Sequence, residues 1–179
     1  MKKIFFLLLA SALLLTACGP SHDERIQQIT AYEQATMEKA LGADTLVADT
    51  ITSMYEEFAN KYPQDSLTPT YLFKAGEVQA NVLHADRSVA FFHRIMKDYP
   101  QYKEMAMCYY FIGYAYELNS QYDLARKGYE DFIAKYPDHP LARDTKKALP
   151  LLGMSYQEQL DYILAHASDT IIAQNNQVK

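Results

Sequence analysis

The chain has 179 residues, 49% hydrophobic and 22% charged, which excludes a disordered or collagen-like protein, and its two cysteines exclude a disulfide framework. The formal charge is −5 and no Lys/Arg cluster occurs, so the concentrated positive field that nucleic acid requires is missing. Trp is absent and Tyr abundant, at 15 residues.

The amino terminus reads as an export signal. Lys2 and Lys3 precede an apolar run from Ile4 to Leu15, too short for the roughly 20 residues that a membrane span needs. The run ends in Leu15-Thr16-Ala17-Cys18, which resembles the bacterial lipobox. That resemblance implies cleavage before Cys18 and acylation of its thiol and new amine, a chemistry that needs a sulfur nucleophile. Two or more acyl chains give a firm anchor, at about 0.8 kcal/mol per buried CH₂. Loss of Lys2 and Lys3 would leave 15 basic residues against 22 acidic, a charge of −7. The expected organisation is a signal peptide over 1–17, a lipidated linker over 18–22, a helical domain over 23–166 and a flexible tail over 167–179.

A first helix is expected from about Asp23 to Leu41, ended by Gly42. Leu46, Val47, Ile51, Met54, Tyr55 and Phe58 then follow the helical period, with a cap near Asp44 or Thr45. From here a period of 37 residues sets in: Tyr-Pro recurs at 62–63, 99–100 and 136–137. Gly76 and Gly113 keep the same interval, as do Asp86 and Asp123. The unit over 106–137 is the most regular. Tyr109, Ile112, Gly113 and Tyr116 share one helical face, Asn119-Ser120-Gln121 makes a turn, and Asp123 is placed to cap a second helix. Leu124, Ala125, Gly128, Tyr129, Phe132 and Ile133 line the stripe of that second helix, which Pro137 terminates.

Tyr109, Ile112, Gly113, Tyr116, Ala125, Tyr129 and Pro137 match the tetratricopeptide signature. The preceding unit is similar through Leu72, Ala75, Gly76, Phe92, Ile95 and Pro100, but carries Gln79 where an aromatic is usual and Ser88 where Ala is usual. The likeness spans about residues 44 to 152. Lengthened repeats with Tyr-Pro ends resemble those of bacterial envelope lipoproteins. Among these are the repeat lipoprotein of the outer-membrane β-barrel assembly complex, the periplasmic coordinator of the Tol system and small repeat lipoproteins of Bacteroidota. The fold implied is an all-α, short solenoid of antiparallel helical hairpins with flanking capping helices. Gly113 and Ala125 would then be small because two helices cross closely there. After Pro137 a third unit starts at Leu141 but meets Pro150 where the glycine belongs, so the array is expected to stop. Ser155-x-x-Glu158 reads as a capping box for a last helix to about His166, with Leu160, Ile163 and Leu164 inward.

The resemblance places a concave groove on the first helix of each hairpin. Its positions here are Thr70, Phe73, Glu77 and Asn81 in one repeat and Met107, Tyr110, Tyr114 and Glu117 in the next. Aromatic and Met side chains there would suit a peptide. The alternative is that this second groove helix is buried all round, under the first or last helix.

No chemistry is legible. The five His are scattered without metal-ligand spacing, no phosphate loop or nucleophile elbow occurs, and Cys108 lies in an apolar run as a buried thiol would. No catalytic residue, metal or cofactor is expected. The expectation is a non-catalytic scaffold anchored by lipid at Cys18, binding an envelope protein or peptide and facing the periplasm from the outer membrane, with surface exposure also open. The alternative is capture of a glycan, peptidoglycan fragment or peptide on a Tyr-rich concave surface.

Overall fold

A computed structural model describes residues 19–41 and 44–176, without the side chains of 37–41 and 167–176; the expected acylation site Cys18 lies outside the described residues. Eight α-helices follow in order: α1 His22–Leu41, α2 Thr45–Lys61, α3 Thr68–Asn81, α4 Ala85–Asp98, α5 Met105–Leu118, α6 Tyr122–Lys135, α7 Pro140–Ala148 and α8 Tyr156–Asn176. A 3₁₀ turn, Leu149–Leu151, separates the last two. The described residues contain no strand.

The repeated Tyr-Pro pairs end helices in one way. Tyr62, Tyr99 and Tyr136 leave the helical region, with φ of −126°, −134° and −130°. Their amides still reach the carbonyls of Phe58, Ile95 and Phe132. The following Pro has no N–H to continue the ladder. Starts are less uniform. Asp44 caps α2 by accepting from the amides of Leu46 and Val47 at 3.1 and 3.2 Å. Ser21 and Glu24 form a reciprocal capping box on α1 that the sequence reading missed. Asp123 caps nothing: it lies inside the first turn of α6, where its charge favours the helix dipole, and Gln121 occupies the cap.

α1 and α2 pair as a flanking antiparallel hairpin, and α3 with α4 and α5 with α6 form the first and second repeat hairpins, each packed on the next. The first helices α1, α3 and α5 also touch one another in sequence, whereas α2, α4 and α6 do not to comparable extent. The row that closes up is the inner one, so α1, α3 and α5 line the concave side. The core runs between the rows through Ile51, Phe58, Leu72, Phe92, Ile95 and Phe132, all buried.

Glycines set the crossing within each hairpin. A Cβ on Gly76 would stand 2.6 Å from the Phe92 ring, and one on Gly113 would stand 2.6 Å from the Tyr129 ring. Each glycine thus leaves room for the aromatic side chain of its partner helix. The second hairpin is closer still: a Cβ on Gly128 would lie 2.7 Å from the backbone nitrogen of Gly113. The preceding repeat has Phe91 at that register.

The two departures from the repeat pattern have structural causes. Ser88 is buried and donates to the Gly76 carbonyl at 2.8 Å. Gln79, also buried, donates to Thr52 Oγ1 at 2.9 Å, and its carbonyl lies 2.9 Å from His84 Nδ1. These bonds tie α3 to α2 and to the start of α4, doing with hydrogen bonds what Tyr116 does by packing.

The end of the array differs from expectation. α7 stops at Ala148 ahead of Pro150, as the proline requires. The Ser155–Glu158 capping box forms. Leu160, Ile163 and Leu164, expected inward, are 38%, 52% and 62% exposed. The reason is that α8 packs little against any other helix. Its start is held by the capping box and by Gln159, which donates to the Met154 carbonyl at 3.0 Å. The tail expected from residue 167 is helical to Asn176, in a stretch without Gly or Pro. Leu46 and Leu124 are exposed too, one in the first turn of α2 and the other on the outer side of α6.

Gly128→Ala should lower stability by about 1–3 kcal/mol, because the added methyl meets backbone that cannot rotate away; denaturant titration reads this directly. Leu83, exposed at the end of the first hairpin's turn, has φ +62°. Leu83→Gly should therefore raise stability by roughly 0.5–1 kcal/mol, the relief of a left-handed backbone less the entropy lost by glycine.

Candidate functional site

The positions assigned to the groove lie on the inner-row helices α3 and α5, all but Asn81 half-buried. Phe73 is drawn into an aromatic seam between α3, α4 and α5, with ring centroids 5.6 Å from Phe92, 5.5 Å from Phe111 and 6.0 Å from Tyr102. Thr70 is half-buried at the start of α3, and Asn81 is exposed at the α3 terminus. Glu77 is half-buried, and burial pushes its carboxyl above the usual range against the weaker pull of Lys74. Lys74 itself bonds Glu33 of α1 at 2.7 Å, across the concave side. Met107 is half-buried.

The remaining three, Tyr110, Tyr114 and Glu117, converge on a cavity of about 800 Å³. Its origin is the interrupted third hairpin. α7 packs on α6 but not appreciably on α5, so the inner row, closed from α1 to α5, opens at this point. The Arg126 guanidinium on α6 donates to the Leu149 carbonyl at 2.9 Å and holds the 3₁₀ turn to that side. The gap is bounded by Tyr110 and Tyr114 of α5, Tyr122 and Tyr129 of α6, Asp144 and Thr145 of α7, and the turn through Gly153. Gly153 has φ +82° and lies under the Tyr122 ring, where a Cβ would stand 2.9 Å away, so both backbone and space demand glycine. The sequence reading missed the α6, α7 and turn contributions. The signal for them was the Pro150 interruption itself, which shortens α7 and removes the side chains that would otherwise fill the gap.

Among the described residues neither α1 nor α8 packs extensively on α5: α1 lies beside α2 and α3, and α8 projects from its cap. No residue of α5 is fully exposed. Tyr110 and Tyr114 are half-exposed. The Tyr110 ring packs 5.4 Å from Tyr129 and 5.5 Å from Phe132, and runs nearly parallel to Tyr114 at 6.5 Å. The Tyr129 hydroxyl donates to Glu117 Oε2 in a short bond. Burial and then this carboxylate raise the Tyr129 phenol far above its ordinary value; Tyr55, which donates to Glu33, is raised by the same two causes. Burial also raises Tyr110.

Cys108, on the inward face of α5, is fully buried, and burial pushes its thiol up to about 12, which leaves it unreactive at neutral pH. Among the described residues no group of three or more His, Cys, Asp or Glu is placed to hold a metal ion.

A family model for the tetratricopeptide repeat matches residues 70–102 and 105–139. These two segments are similar to tetratricopeptide repeats. The matched segments are α3 with α4 and α5 with α6, and repeats of this kind indicate a protein–protein interaction scaffold. No curated protein matches the chain at a significant level.

Because Tyr55 and Tyr129 have folded-state pKa values above the unfolded value, their contribution to stability is complete below about pH 10. It is lost as pH rises beyond that. Denaturant midpoints should therefore be level from neutral pH to about pH 10 and fall above it. Tyr129→Phe should flatten part of that fall while costing about 1 kcal/mol at neutral pH, the value of one hydrogen bond.

Proposed function

We propose that the protein is a lipid-anchored adaptor of the bacterial envelope, held at the outer membrane through acylated Cys18 and facing the periplasm. It would bind a segment of a partner protein along the concave side of its repeats. The observation that carries this reading is the inner row of α1, α3 and α5, ending in a cavity where the third hairpin fails to close. A catalytic role has no support from side-chain grouping.

The short tether supports attachment close to a membrane. Pro20 accepts from Lys61 at 3.2 Å, and His22 Nε2 lies 2.7 Å from Asp65 Oδ2. The chain is thus bound into the domain within two residues of Cys18. Such a domain would have little freedom to swing, and its concave side would meet partners at the bilayer surface. A glycan-capture reading draws on the same tyrosine rings, which suit stacking on sugars.

Two measurements test the proposal. The full chain expressed in a bacterial host should stay with membranes after a carbonate wash, and Cys18→Ser should release it. A photo-crosslinking residue in place of Glu77 or Tyr114 should then give a discrete protein adduct in envelopes. The same residue in place of Lys127, exposed on the outer row, should give none. Retention of the Cys18→Ser protein in membranes would contradict the anchor. Adducts from position 127 alone would contradict the concave site.

A further inference from the structure

We infer that the cavity at the open end of the inner row receives a cationic side chain, arginine or lysine, from a basic segment of the bound partner. This rests on the adaptor reading and gives its partner a chemical character. The cavity has three properties that together select such a group.

The first is charge. Glu117 and Asp144 line the cavity, and no Lys, Arg or His does. Two cations stand behind the wall, each already engaged with a lining residue. Arg126 is spent on the Leu149 carbonyl, and Arg143 lies 3.2 Å from Asp144 in a contact where both side chains are mostly exposed. An exposed pair of adjacent residues is worth little in water and yields to a better-placed partner.

The second is the rings. Tyr110, Tyr114, Tyr122 and Tyr129 line the same half-open cavity, with Tyr122 itself 40% exposed. The face of such a ring attracts a cation, more strongly where water is excluded. Their hydroxyls cannot supply a competing positive charge, and burial holds the Tyr110 and Tyr129 phenols in their neutral form.

The third is pre-organisation. The Tyr129 hydroxyl fixes the Glu117 carboxylate through Oε2, leaving Oε1 out of that bond. A guanidinium or ammonium reaching Oε1 would gain a charge-assisted hydrogen bond without first ordering the acceptor. The volume, about 800 Å³, exceeds one side chain, so neighbouring residues of a peptide fit as well. Apolar walls from Leu141, Leu152 and Met154 would bury the methylene stem. Neutral sugars would stack on the same rings and donate hydroxyls to the two carboxylates, but only a cation adds charge attraction to those hydrogen bonds, and this favours the basic peptide.

The test is titration of the folded chain with a tetra-arginine amide, its tetra-citrulline counterpart and a chitin oligosaccharide, read by calorimetry and by tyrosine-ring NMR shifts. Citrulline keeps the shape of arginine without its charge. The arginine peptide should bind, shift Tyr110, Tyr114 and Tyr129, and weaken as salt is raised. Glu117→Gln should reduce its affinity roughly tenfold, and Asp144→Asn by a smaller factor. Equal binding of the citrulline peptide, or ring shifts with the oligosaccharide alone, would overturn the inference. So would arginine binding that Asp144→Asn and Glu117→Gln both leave unchanged. If Glu117→Gln does not fold, the exposed Asp144→Asn and the citrulline comparison decide. Crosslinks from position 77 to a protein partner, obtained alongside a negative peptide titration, would sink the cationic pocket and leave the adaptor standing.

Discussion

A glycine set against an aromatic ring governs how closely the two helices of each repeat approach. Gly76 faces Phe92 and Gly113 faces Tyr129, and both members of each pair recur at the same interval. The ring occupies the volume that a side chain on the first helix would take, so any larger residue there would overpack the crossing. In the second hairpin Gly128 brings the backbones themselves together. With the crossing fixed, the position of each hairpin on the next follows. So does the closure of one helix row and the opening of the other, and a concave side exists only because of that asymmetry.

Where the repeats diverge, the differences fall at the joints. Gln79 replaces an apolar contact by bonds to Thr52 and His84, and all its polar atoms are satisfied within the protein. A buried amide is tolerable only on that condition. It fixes the register of α2 on α3, where the array begins and helical periodicity alone specifies less. At the far end the opposite happens. Pro150 cuts the third hairpin short, the inner row loses its next member, and rings that would be core in a longer solenoid line a cavity with Glu117 and Asp144. One proline thus connects the sequence to the place where a ligand can enter.

The architecture was legible because its determinants are local and periodic. Tyr-Pro ends, the paired glycines and the stripe through Ala125 and Phe132 all mark helices and their inward faces. Less was visible wherever the outcome depended on two distant elements. Helical spacing of Leu160, Ile163 and Leu164 identifies an amphipathic face, but whether anything covers it depends on the direction in which a capping box launches α8. Similarly, transfer of groove positions from the repeat pattern put Phe73 and Tyr110 in equivalent roles. Phe73 instead fills the seam against Phe111, whereas Tyr110 has no following helix to meet and stays at the cavity edge. Gly128 was read only as part of a stripe, since nothing in one sequence says that its neighbour across the crossing is another glycine.

The most direct test of this arrangement is the NMR chemical shift of the glycine α-protons. With a ring stacked over each, the α-protons of Gly76 and Gly113 should be moved well away from ordinary helical values by ring current and show cross-relaxation to the Phe92 and Tyr129 ring protons. Phe92→Leu should return the Gly76 signals alone to ordinary values. Unshifted α-protons at both glycines, with no contact to either ring, would mean that the hairpins cross elsewhere and that the concave side described above does not form.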